Sequence, residues 1–112
     1  MKHIAIFALL GLASTAAMAD GAVAQPEKAA TCFACHGPNG HSTNEMYPIL
    51  AGQYHNYLEH ALTEYKEGKR KNAIMNGQAA GLSKDEIHAL AMFFGSQDST
   101  LYTPSEHGDL KK

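Results

Sequence analysis

Cys32-Phe33-Ala34-Cys35-His36 constrains this chain more than any other stretch, because it is the pattern C-x-x-C-H and uses both of the chain's cysteines. Each thiol can add to one vinyl group of a haem while the adjacent imidazole reaches the iron, so the spacing answers a chemical requirement. The pattern predicts one haem c, held covalently through Cys32 and Cys35, with His36 as an axial ligand of the iron.

The amino terminus points to export. Lys2 and His3 precede an apolar run from Ile4 to Ala13, and small residues then lead to Ala17-Met18-Ala19, an A-x-A-like cleavage site. A membrane anchor is the alternative, but the run is shorter than the roughly 20 apolar residues that a bilayer span takes. Residues 1–19 are therefore expected to be a cleaved secretory signal that leaves a periplasmic chain with no membrane span. What remains is room for one small domain, 20–97, and a polar tail, 98–112. A domain of this size buries a modest core and usually needs a staple. With no Trp and no cysteine to spare for a disulfide, a covalently held porphyrin would supply the missing apolar interior. The net charge is −2, and losing Lys2 makes it more negative, so nothing suggests nucleic-acid binding.

The mature chain reads as all-α, since no stretch shows strand-like alternation. Gln25-Pro26-Glu27-Lys28-Ala29-Ala30 has Pro and Glu where a first helical turn tolerates them, predicting a short helix that runs into the haem motif. Residues 37–46 are rich in Gly, Pro, Asn, Ser and Thr and read as a loop. Tyr54, Leu58, Ala61, Leu62 and Tyr65 form one apolar stripe at helical spacing, with Gly68 suited to the stop. A last helix is expected from Ser83, which can cap it while Glu86 reaches back, with Ile87, Leu90, Ala91 and Phe94 as its buried face. From Asp98 onward, with Pro104 and Gly108, the composition predicts a loosely held tail. There is no internal repeat and no low-complexity segment.

The other side of the iron needs a second ligand, and thioethers are the candidates. Met18 is available only if the signal stays on. Met92 falls in the last helix near its buried face and suits packing. Met46 follows His36 too closely to reach the opposite haem face. Met75 is better placed, in Asn72-Ala73-Ile74-Met75-Asn76-Gly77-Gln78, read as an irregular loop between two helices that can be pushed against the haem. The remaining histidines, His41, His55, His60, His88 and His107, read as surface residues. Arg70, between Lys69 and Lys71, could neutralise a haem propionate or steer an acidic partner, against the plainer reading of a solvated charge run.

Over about residues 25–97 the chain resembles the small class I cytochromes c of bacteria. The resemblance is carried by Cys32 to His36, Pro48-Ile49-Leu50-Ala51-Gly52-Gln53, Tyr57-Leu58, Gly68-Lys69-Arg70, Met75-Asn76-Gly77 and Leu82-Ser83 with Ile87 and Leu90-Ala91. The most similar kinds are periplasmic carriers built from one such domain or two in tandem. The resemblance implies a compact fold of about four helices wrapped around one covalently bound haem c. It also implies Met75 as the sixth iron ligand and Pro48 as the residue whose carbonyl accepts the proximal imidazole N–H. Gly37 and Gly40 match the family's turn after the histidine. The tail inherits nothing.

A His/Met-saturated iron leaves no open position for oxygen or substrate, so the expected function is one-electron transfer, with no catalysis by the chain itself. Its partners are then redox proteins meeting it in small, transient contacts, with the protein itself a monomer or part of a transient complex. Three other readings stand beside this one. The chain also resembles the cytochrome subunit of flavocytochrome c sulfide dehydrogenases. An open-site gas sensor or peroxidase would need Met75 off the iron. A haem-free redox disulfide or zinc site would need strand–helix alternation or two further ligands.

Overall fold

The computed structural model describes residues 21–101, so the expected export signal and residues 102–112 of the tail, with Met18, Pro104, His107 and Gly108, lie outside the described residues. Helix α1 spans Ala29–His36. It starts later than Pro26 because the Ala29 N–H donates to the Pro26 carbonyl at 3.0 Å, which makes Pro26 to Lys28 a turn ahead of the helix. Gly37 stops it at a φ of 77°, and its N–H returns to the Phe33 carbonyl. The predicted loop then contains a short 3₁₀ turn over Pro38–Gly40.

Helix α2 spans His55–Lys66 and buries Leu58, with Ala61, Leu62 and Tyr65 half-buried beside it. Tyr54, expected on this stripe, is instead 67% exposed. It is the residue before the first helical position, so helical periodicity does not carry its side chain. The expected stop holds, since Gly68 has a φ of 71° and donates to the Tyr65 carbonyl.

Helix α3 spans Ala73–Ala80, so the stretch around Met75 is helical and not the irregular loop its composition suggests. The Asn72 side chain accepts from the Met75 N–H at 3.0 Å and caps the helix. The Asn76 amide binds back to the Tyr65 and Arg70 carbonyls at 2.7 and 2.8 Å and accepts from Asn72 N–H at 2.9 Å. Two asparagines thus anchor a helix that hydrophobic periodicity does not announce.

Helix α4 spans Lys84–Gly95 and carries the full capping box, Glu86 N–H to Ser83 Oγ at 3.1 Å and Ser83 N–H to Glu86 Oε2 at 2.8 Å. It buries Ile87, Leu90, Ala91 and Phe94 as expected, and Phe93 as well. Helix α2 packs against both α3 and α4. The motif helix joins this core through Phe33, whose ring lies 6.2 Å from Phe93 and 6.0 Å from Phe94. The start of the tail is held and not loose. Asp98 O lies 2.6 Å from His41 Nε2, and Ser99 sits where a Cβ on Gly52 would fall. Among the described residues there is no strand, and no helix is long and apolar enough to cross a membrane.

Candidate haem site

One helix face delivers the motif. Cys32, Cys35 and His36 stand at i, i+3 and i+4 of α1, neighbours on its surface. Both thiols are free and half-buried. Burial pushes the Cys32 thiol up, partly offset by its backbone hydrogen bond. That is the opposite of a redox dithiol, whose reactivity needs a lowered thiol.

His36 is 7% exposed, and its Nδ1 lies 2.7 Å from the Pro48 carbonyl oxygen. A carbonyl only accepts, so this contact places the ring proton on Nδ1 and leaves the lone pair on Nε2. No buried side-chain nitrogen or oxygen lacks a partner among the described residues, so the unpaired Nε2 faces accessible space and is not sealed in the core. Glycine brings Pro48 to this position. Gly40 sits at a φ of 83°, and its carbonyl accepts from Leu50 and Ala51 N–H at 2.9 and 3.2 Å. A Cβ there would lie 2.9 Å from Ala51 N and from Phe94 Cδ1, too close for either to stay in place. A Cβ on Gly37 would collide with the His41 carbonyl.

Tyr47 is a contact that the sequence reading passes over. Its half-buried ring meets the His36 imidazole edge-to-face, with centroids 6.3 Å apart and planes at 64°. The sequence signal for it is thin, an aromatic residue directly before Pro48.

Met75 lies in the first turn of α3, half-buried and with its backbone held by Asn72. Met46 is 77% exposed, and Met92 is half-buried on α4. His41 has one ring nitrogen against the Pro38 carbonyl and the other against that of Asp98, while His88 and His60 pair with Glu59 and Glu64 at 3.0 and 3.3 Å. Lys69 pairs with Glu67 at 2.6 Å. Arg70 lies over the Tyr65 and Tyr57 rings at 5.0 and 6.0 Å and donates to the Tyr57 hydroxyl.

Two free thiols and an imidazole with a free Nε2 on one helix face suit covalent haem attachment and iron ligation, so the residues fit the group. Among the described residues no group of three or more His, Cys, Asp or Glu side chains comes together to hold another metal ion. An all-helical domain that offers this face is a haem-attaching redox protein. The family model of cytochrome c matches residues 24–98, and the chain belongs to that family, with a class I cytochrome c fold. Covalently bound haem c and electron transfer come with that membership.

The chain is 40% identical to cytochrome c-554(548) of Halomonas halodenitrificans over 71% of its own length and the whole of that protein. It is 38% identical to cytochrome c4 of Pseudomonas aeruginosa over 84% of its own length and 47% of that protein. It is also 36% identical to a cytochrome subunit of sulfide dehydrogenase from Chlorobaculum tepidum, over 59% of each. The chain thus spans all of the Halomonas relative and about half of the cytochrome c4.

Proposed function

We propose that this protein is a periplasmic single-haem electron carrier, with haem c linked to Cys32 and Cys35 and its iron held between His36 and Met75. The observation that carries this reading is the buried His36 ring, fastened at Nδ1 by the Pro48 carbonyl with Nε2 left unpaired. The haem supplies a one-electron couple at its iron. Each residue then has one task. His36 offers Nε2 with its tautomer and orientation set by Pro48, which also raises its donor strength. Met75 offers a soft thioether that favours the ferrous state. A rigid turn and a capped helix hold the two ligands with little freedom to rearrange between oxidation states. Residues 1–19 act as the cleaved export signal, 20–97 as the haem domain and 98–112 as a polar tail. Redox proteins are the partners, met in transient contacts with a monomer.

A second reading is favoured by the similarity to the Chlorobaculum protein, namely that the chain is the haem subunit of a sulfide dehydrogenase or a related enzyme, accepting electrons without turning over substrate. Co-purification of the native protein with a flavoprotein would decide for it. The test of the site is Met75→Ala. Haem should stay attached, the potential should fall, and the ferrous form should bind carbon monoxide where the wild type does not. An unchanged spectrum and potential in Met75→Ala would remove Met75 from the iron. Carbon monoxide binding by the wild type would instead favour an open-site sensor or peroxidase.

A further inference from the structure

We infer that Tyr47 is a positioning residue for His36, its ring and the Pro48 carbonyl together setting the plane in which the imidazole faces the iron. This rests on the proposal that His36 is the axial ligand. One hydrogen bond at Nδ1 locates an edge of the imidazole and resists large rotation about its Cβ–Cγ bond, but it tolerates rocking of small amplitude. The Tyr47 ring, 6.3 Å away and inclined at 64°, closes off that motion. Edge-to-face aromatic pairs are worth about 0.5–1.5 kcal/mol beyond the area they bury.

Tyr47 and Pro48 act as a unit because they are consecutive and the turn that bears them is braced. Tyr47 N–H donates to the Asn44 carbonyl at 3.0 Å, Met46 N–H to Asn44 Oδ1 at 2.9 Å, and Asn44 N–H to Ser42 Oγ at 3.2 Å. The following proline further confines the Tyr47 backbone to extended conformations. The phenol oxygen has no hydrogen-bond partner among the described residues, while the ring meets His36, so the ring is the working part. Rocking of the imidazole changes its π overlap with the iron, which haem-methyl shifts in the ferric protein report directly.

The experiment compares wild-type, Tyr47→Phe and Tyr47→Leu holoproteins by proton NMR, reading ferric haem-methyl shifts and ferrous His36 Nδ1–H exchange. Tyr47→Phe should match the wild type in both. Tyr47→Leu should redistribute the haem-methyl shifts and speed Nδ1–H exchange about tenfold, the factor that ~1.4 kcal/mol represents. Tyr47→Ile serves the same purpose if Leu lowers haem loading. A Leu variant identical to wild type, or a Phe variant altered as much as Leu, overturns the proposal. If the wild-type ferric spectrum lacks hyperfine-shifted His36 ring protons, the ligand assignment itself fails. That result is distinct from shifted protons which Tyr47→Leu leaves unmoved.

Discussion

At the scale of single residues, the site depends as much on missing side chains as on donor atoms. Cys32, Cys35 and His36 announce themselves by spacing, yet the contact that orients His36 is made by a backbone oxygen twelve positions on. That oxygen arrives only because Gly40 lets the chain fold back on residues 50 and 51 at a positive φ. Gly40→Ala puts a Cβ into that approach and asks a non-glycine residue to hold a left-handed conformation. Backbone strain of this kind costs of order 1–3 kcal/mol, and overpacking against Ala51 and Phe94 adds a similar amount. A loss of about 3 kcal/mol in urea unfolding of the holoprotein is expected. A loss below about 1 kcal/mol would mean that the turn adapts and that Gly40 is not what brings Pro48 to His36.

At the scale of elements, α4 and α3 show two routes to a helix. The first is written in sequence as Ser83-x-x-Glu86 followed by an apolar face, and both reciprocal hydrogen bonds are present. Ser83→Ala should cost about 1 kcal/mol of stability. Glu86 adds a pH dependence. The Ser83 backbone N–H holds its carboxyl below the usual glutamate value of 4.5, with the Lys28 and Lys66 charges helping. A lowered carboxyl contributes stability that is present above the unfolded value and is lost as pH falls through the folded one. Urea midpoints of wild type and Glu86→Gln should therefore differ at neutral pH and converge below pH ~4. A constant difference across that window would show that the charge at Glu86 plays no part. Helix α3 takes the second route, through Asn72 and Asn76 side chains that bind backbone groups at both its start and the end of α2. Asparagine and glycine usually signal a loop, which is why Met75 reads as a loop residue while standing on a helix.

At the scale of the whole molecule, three phenylalanines join the motif helix to the rest. Phe93 and Phe94 lie 5.2 Å apart on α4, and Phe33 of α1 meets both rings. Phe94 also accepts the Gly52 N–H through its carbonyl at 2.9 Å, so the same residue touches α1, the Gly40 turn and the segment after Pro48. Phe94→Ala should cost about 4 kcal/mol, within the range for emptying a buried aromatic site. Helix signal and the ligation-sensitive part of the haem spectrum should change together in one urea transition, at a lower midpoint, with the covalently linked haem still on the unfolded chain. Two separated transitions would show that the haem turn and the helical core unfold independently.

Fold class and attachment chemistry were legible without coordinates. The C-x-x-C-H spacing, the Ser83 cap, the Gly68 stop and the periodic faces of α2 and α4 are local patterns, and local patterns survive in a linear sequence. Tertiary structure alone decided the rest: that Tyr47 meets the His36 ring, that Asn76 ties α3 to α2, that Tyr54 is exposed, and that Asp98 is clasped by His41. Apart from the exposure of Tyr54, which follows from where α2 begins, each of these is a contact between side chain and backbone, or between two rings, across a turn or a long sequence separation. No periodicity encodes such contacts, because their geometry exists only once α2, α3 and α4 have packed and the glycine turns have closed.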